Sequence, residues 1–174
     1  MEQLSPNSLA FVALINEYCA QLEQAPSLGR DNFVQAMAKL LPRIYITALD
    51  MPAPVMLGEV EIPPSLDEEQ YDMVRARVAS LMGEDDVYLE VFMDDMKYSD
   101  SPIATSISEN LADLYQVFYD LIAAVRDLDA SLQQELLTRC REDFDGYWSQ
   151  TLCNVLRAIN NVLGGRQDDD DFLY

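Results

Sequence analysis

The chain has 174 residues, 49% of them hydrophobic, with 31 Asp and Glu against 11 Lys and Arg and no His, giving a formal net charge of −20. That length predicts one domain able to bury a sizeable core, and so negative a field repels phosphate backbones and argues against nucleic-acid binding. Without His, the Ser/His and Cys/His nucleophile pairs and the Glu-x-x-His pattern of di-iron bundles are excluded.

Three cysteines, Cys19, Cys140 and Cys153, are an odd number without metal-ligand spacing, and each falls in an apolar helical pattern. They read as reduced, buried core residues of a cytoplasmic protein, and no zinc site is expected. Met1-Glu2-Gln3 lacks the basic start of a signal peptide, and no apolar run approaches the roughly 18 residues of a membrane span.

In chain order, Ser5 and Pro6 predict a helix over Pro6 to Gln24, with Leu9, Val12, Ile15, Cys19 and Leu22 inward. A second helix is expected from Asp31 to Leu49, where Pro42 should kink it or split it in two. Four prolines between Asp50 and Pro64 mark a connection with a short extended stretch at Glu59 to Ile62. Ser65 and Glu68 then make a capping box for a third helix reaching Met82.

Val87 to Phe92 is rich in strand formers and could pair with Glu59 to Ile62 as a small ribbon. A second capping box, Ser106 to Glu109, opens a strongly striped fourth helix ending near Arg126. Asp129 caps a long last helix, Ser131 to Leu163, which Gly146 can bend and Gly164-Gly165 should stop. Its apolar stripe, Leu137, Cys140, Phe144, Trp148, Leu152, Val155, Ile159 and Val162, holds the single Trp and marks this helix as the one the others wrap.

Three constellations bear on function. Glu69-x-x-Asp72 and Glu142-x-x-Asp145 have the spacing that helical nucleotide pyrophosphohydrolases use to hold Mg²⁺, although no Lys or Arg cluster stands nearby to hold phosphates. Gln150, Asn154, Arg157 and Asn161 recur at steps of four, three and four opposite the Trp148 stripe. This polar strip either bonds to neighbouring elements or forms a recognition face, where the arginine would suit a carboxylate. Beyond Gly165, Asp168, Asp169, Asp170, Asp171, Phe172, Leu173 and Tyr174 make an acidic tail, read as solvated and mobile or as a docking tail with an aromatic end.

Phe11 to Cys19, Leu111 to Gln116 and Tyr147 to Ala158 together resemble a bacterial family known as domain of unknown function 5063. The last segment carries the most specific features, an aromatic pair followed by Leu156-Arg157-Ala158. The resemblance extends over nearly the whole chain and implies an all-helical cytoplasmic protein with no established activity. Where that family carries a Gly after the Trp and a His after Leu-Arg-Ala, this chain has Ser149 and Ile159-Asn160.

The expected fold is an all-α, single-domain bundle of about five helices over residues 1–165, with the long C-terminal helix central and a flexible tail over 166–174. The expected function is a non-enzymatic interaction or adaptor module meeting a basic protein surface, without cofactor or membrane. The alternative is a carboxylate-based ligand-binding protein or Mg²⁺-dependent enzyme.

Overall fold

The structure is a computed structural model describing residues 3–52, 60–90, 97–98 and 102–170. Its first helix, α1 (Pro6–Glu23), starts where Ser5 Oγ accepts the Ser8 N–H and Pro6 fills the first position. A single turn, α2 (Ala25–Leu28), and Gly29 at φ 77° lead into α3 (Arg30–Leu49). Pro42 sits inside α3 without splitting it. Met37, Leu40, Leu41, Ile44 and Ala48 are buried on both sides of the proline, and that burial offsets the hydrogen bond it removes.

The next helix, α4 (Glu68–Met82), is not capped by the expected Ser65 box. Asp67 accepts the Gln70 N–H at 2.7 Å, while the Ser65 and Leu66 N–H groups both donate to Asp120 Oδ1 at 2.8 Å. A carboxylate nearer the helix start outcompetes the serine, and the serine's own N–H is already engaged.

After a 3-10 turn (Gly83–Asp86) come β1 (Val87–Leu89) and β2 (Ala104–Ser106), paired antiparallel with Val87 opposite Ser106 and Leu89 opposite Ala104. The expected partner, Glu59 to Ile62, does not form the pair: its described residues Val60 to Ile62 are irregular. Ser106 ends β2 and caps α5 (Ile107–Val125), accepting the Glu109 N–H at 3.2 Å as predicted.

The long last helix is three elements rather than one: α6 (Ala130–Asp143), a π turn (Phe144–Trp148) and α7 (Ser149–Asp170). Asp129 caps α6 as expected. Gly164 and Gly165 do not stop α7, because neither takes the left-handed conformation that ends a helix. The chain from Asp171 to Tyr174 lies outside the described residues.

One apolar cluster joins all the longer helices. Trp148 is completely buried at its centre, with Phe118 of α5 edge-on at 5.1 Å, Phe11 of α1 stacked at 6.2 Å and Phe144 edge-on at 4.7 Å. Its indole N–H donates to the Cys140 carbonyl at 3.2 Å, a bond that the π turn brings within reach. Cys19 and Cys140 are buried as expected, whereas Cys153 is exposed because it lies on the outward side of α7.

Candidate functional site

Position within the helix decides what the polar strip can do. At 3.6 residues per turn, Arg157 lies about 60° further than Asn154 from the buried side that carries Ala158 and Leu152. Asn154 is accordingly buried, while Gln150, Arg157 and Asn161 are exposed. The strip therefore straddles the edge of the core, and its outer members remain accessible.

Asn161 lines a cleft of about 590 Å³ where α7 faces the 3-10 turn and β1. Val87 and Tyr88 contribute the ribbon side, Glu84 and Asp85 the turn, and Arg30 the start of α3. Arg30 forms an ion pair with Asp85, while its buried Nε has no hydrogen-bond partner among the described residues. Asp86, also buried, accepts the Ser108 N–H at 2.8 Å and the Ser108 hydroxyl at 2.7 Å, fastening the turn to the first turn of α5. That position favours a carboxylate through the exposed amides and dipole of the helix.

Tyr88 points inward and donates to Asn110 Oδ1 at 2.5 Å. Burial raises its phenol above the ordinary tyrosine range, and the Glu90 charge adds to the rise. On the opposite face of the strand Val87 is 65% exposed and Leu89 53%. The Arg157 guanidinium lies against the Leu89 carbonyl at 3.5 Å, the limit of a hydrogen bond.

A second cleft, of about 380 Å³, separates α4 from α5. Asp67, Glu68 and Asp72 come from one side and Asp113 and Gln116 from the other, with Tyr71 between them. The Tyr71 hydroxyl donates to Asp113 Oδ1 at 2.6 Å. Burial raises the Asp113 carboxyl above the usual range, the Tyr71 bond pulls it back, and the Glu109 charge raises it again. Beside this cleft, Tyr115 donates to Glu23 Oε1 at 2.9 Å and accepts from Gln70 Nε2 at 3.1 Å.

The two acidic pairs with Mg²⁺ spacing meet different surroundings. Asp72 pairs with Arg75 at 3.3 Å, Glu142 with Arg139 at 3.6 Å and Asp145 with Arg141 at 3.2 Å, while Glu69 is exposed. Among the described residues no group of three or more His, Cys, Asp or Glu could hold a metal ion. Asp168, Asp169 and Asp170 continue the backbone of α7, and Asp171, Phe172, Leu173 and Tyr174 fall outside the described residues.

Sequence reasoning missed Arg141. The residue is buried, and its guanidinium donates to the Leu49 and Met51 carbonyls at 2.7 Å and to Ala48 at 3.3 Å, closing the end of α3. An arginine in line with the apolar stripe, four residues after Leu137 and three before Phe144, was the available signal. Asp113 and Asp86 carried none, being two acidic residues among 31.

These features define a helical bundle with a small antiparallel ribbon, a long C-terminal helix and two clefts edged by carboxylates. The chain belongs to the family described as a domain of unknown function, DUF5063, whose profile matches residues 2–164. It is similar to the crystal structure of protein BF1032 from Bacteroides fragilis, a structural genomics target, at 32% identity and a TM-score of 0.76. That match covers 91% of this chain and 92% of the other. No curated protein matches the chain. Among the described residues no helix is long and apolar enough to cross a membrane.

Proposed function

We propose that the chain is a non-enzymatic recognition module that binds a basic partner protein through the cleft between α7 and β1. One observation carries this reading. Two accessible members of the polar strip meet β1: Asn161 shares a cleft with the exposed Val87, and beside that cleft Arg157 lies against the carbonyl of the exposed Leu89, so that amide, cation and apolar surface adjoin along the strand. Interfaces bind through such mixtures, an apolar centre with polar groups that fix orientation.

The net charge of −20 supports a partner with a Lys- or Arg-rich face, drawn in by long-range attraction. The test is a partner identified by mass spectrometry of a native pull-down, followed by kinetics with Asn161→Arg. That substitution fills the cleft with a cation, and affinity should fall at least tenfold through a faster off-rate. Unchanged affinity would remove the cleft from the interface. In the same reading, the charge of Asp168 to Asp171 adds to the attraction that assists encounter.

A second reading rests on Asp113. A carboxyl raised by burial in a cleft shared with Asp67, Glu68 and Asp72 suits a small cationic ligand, the carboxylate-based alternative. Calorimetry with Mg²⁺ and with a linear polyamine would test it, with Asp113→Asn abolishing any heat that belongs to this cleft.

A further inference from the structure

Resting on the cleft reading above, we infer that β1 accepts an extended, Lys- or Arg-flanked segment of the partner as a third strand, laid between β1 and α7. The register of the ribbon decides which backbone groups of β1 face outward. Tyr88 stands opposite Thr105, and the Glu90 N–H donates to the Ile103 carbonyl at 2.8 Å. In an antiparallel pair, bonded and non-bonded positions alternate. Tyr88 and Glu90 therefore turn their backbone groups towards β2, while those of Val87 and Leu89 point the other way.

That outward edge faces α7, because the Leu89 carbonyl is the group the Arg157 guanidinium approaches. At 3.5 Å this is a weak contact, and among the described residues no closer partner meets the outward Leu89 carbonyl. The cleft adjoins the start of the strand, with Val87 and Tyr88 on one wall and Ala158, Asn161 and Val162 of α7 on the other, and the Leu89–Arg157 contact lies just outside it.

A two-stranded ribbon is marginal alone, and exposed edges in stable folds are shielded by proline, lysine or an inward charge. Val87-Tyr88-Leu89 carries none of these. An added strand would satisfy the Val87 and Leu89 backbone groups while its alternate side chains met Val162 or the exposed ribbon face.

Charge selects the occupant. Asp85 is paired with Arg30 and Asp86 is buried on Ser108, so the exposed Glu84 before the strand and the half-buried Glu90 after it are the carboxylates left to meet basic flanks, with Arg157 set against the middle of the edge. A second copy of the chain would bring a further net −20 to this edge, which opposes self-pairing. A strand with basic flanks is favoured, and Arg157 lies where it can meet a carboxylate or carbonyl of that segment.

The test uses the full chain and a panel of ten-residue peptides with alternating Val and Thr centres and Lys pairs at both ends. Amide hydrogen exchange followed by NMR should show Val87 and Leu89 gaining at least tenfold protection, with Tyr88 and Glu90, already bonded to β2, changing less. Methylating alternate backbone nitrogens of the peptide should weaken binding at least tenfold. Leu89→Pro, which removes an outward N–H and spares the bonds to β2, should do the same without lowering the melting temperature of the helices.

Equal binding by methylated peptides, still lost on Asn161→Arg, would overturn strand addition and leave the cleft reading standing. Protection mapped to α4 and α5 instead would overturn both. Protection of Val87 and Leu89 that grows with protein concentration alone would assign the edge to a second copy, and no binding by any peptide would also overturn the inference.

Discussion

Replacing Trp148 by alanine tests whether the junction of α6 and α7 is the core. The side chain is fully buried and meets aromatic rings from α1, α5 and the π turn. Trp→Ala at such a site costs about 3–5 kcal/mol in lost transfer energy plus cavity. The broken indole bond adds little, because the Cys140 carbonyl also accepts the Phe144 N–H and is not orphaned. With domain stabilities of about 5–15 kcal/mol, the variant should fold but lose much of its margin. Urea melts followed by far-ultraviolet circular dichroism measure the difference, since the fluorophore itself is removed. Trp148→Phe keeps the ring contacts and loses the donor, and should cost about 1–2 kcal/mol. A loss below about 1 kcal/mol for Trp148→Ala would match an exposed site and refute the packing argument.

Arg141→Met leaves the Leu49 and Met51 carbonyls without the guanidinium donor, while the Ala48 carbonyl still accepts the Met51 N–H at 3.2 Å, and should destabilise by roughly 2–4 kcal/mol in the same melts, with Arg141→Lys recovering part. Thiol titration with Ellman's reagent should count Cys153 in the native protein and all three cysteines in denaturant, since Cys19 and Cys140 are buried and burial pushes their thiols up. Asp113 is raised by burial, so its stabilising contribution is complete below about pH 3.9 and is lost as pH rises through its folded value. The melting temperature of Asp113→Asn minus that of the parent should therefore grow across that window and stay level above it; a flat difference would contradict the assignment. Removing Asp168 to Tyr174 should lower the on-rate for a basic partner at about 0.05 M salt and leave it unchanged at about 0.5 M, where the Debye length is roughly 4 Å. A large loss at both salts would make the tail a contact surface.

Much of the bundle is legible because local chemistry and burial agree. Ser5, Ser106 and Asp129 each cap the helix they were expected to cap, and the stripes of α3 and α5 are the buried faces. In α1 Ile15, Cys19 and Leu22 are buried as expected, but Leu9 is exposed and Val12 half-buried because Phe11 and Tyr18, packed on Phe118, turn the inward face towards themselves. Reading fails where two local signals compete and distance decides between them. Ser65 lost its cap to Asp67 because Asp120, 55 residues away, holds its N–H. The π turn did leave a trace: Cys140, Phe144, Trp148 and Leu152 are spaced by three successive steps of four. A straight α-helix would rotate that stripe by about 40° at each step, and a wider turn in the middle returns it to the core.

The candidate site is harder to read because its identity depends on pairing. Val87 to Phe92 announces a strand, but Ala104 to Ser106 is three residues long, contains no aromatic residue and ends in a helix cap, so nothing in it announces the partner. Which backbone groups of β1 point outward follows from that register alone. A shift of one residue would turn Tyr88 and Glu90 to the open edge and carry Val87 and Leu89 into the ladder. Tyr88 opposes the slip, because its hydroxyl is held by Asn110 on the inner face and a shifted strand would give up that bond. The side chain that fixes the register thereby fixes which edge faces α7, and Tyr88→Phe should loosen both together.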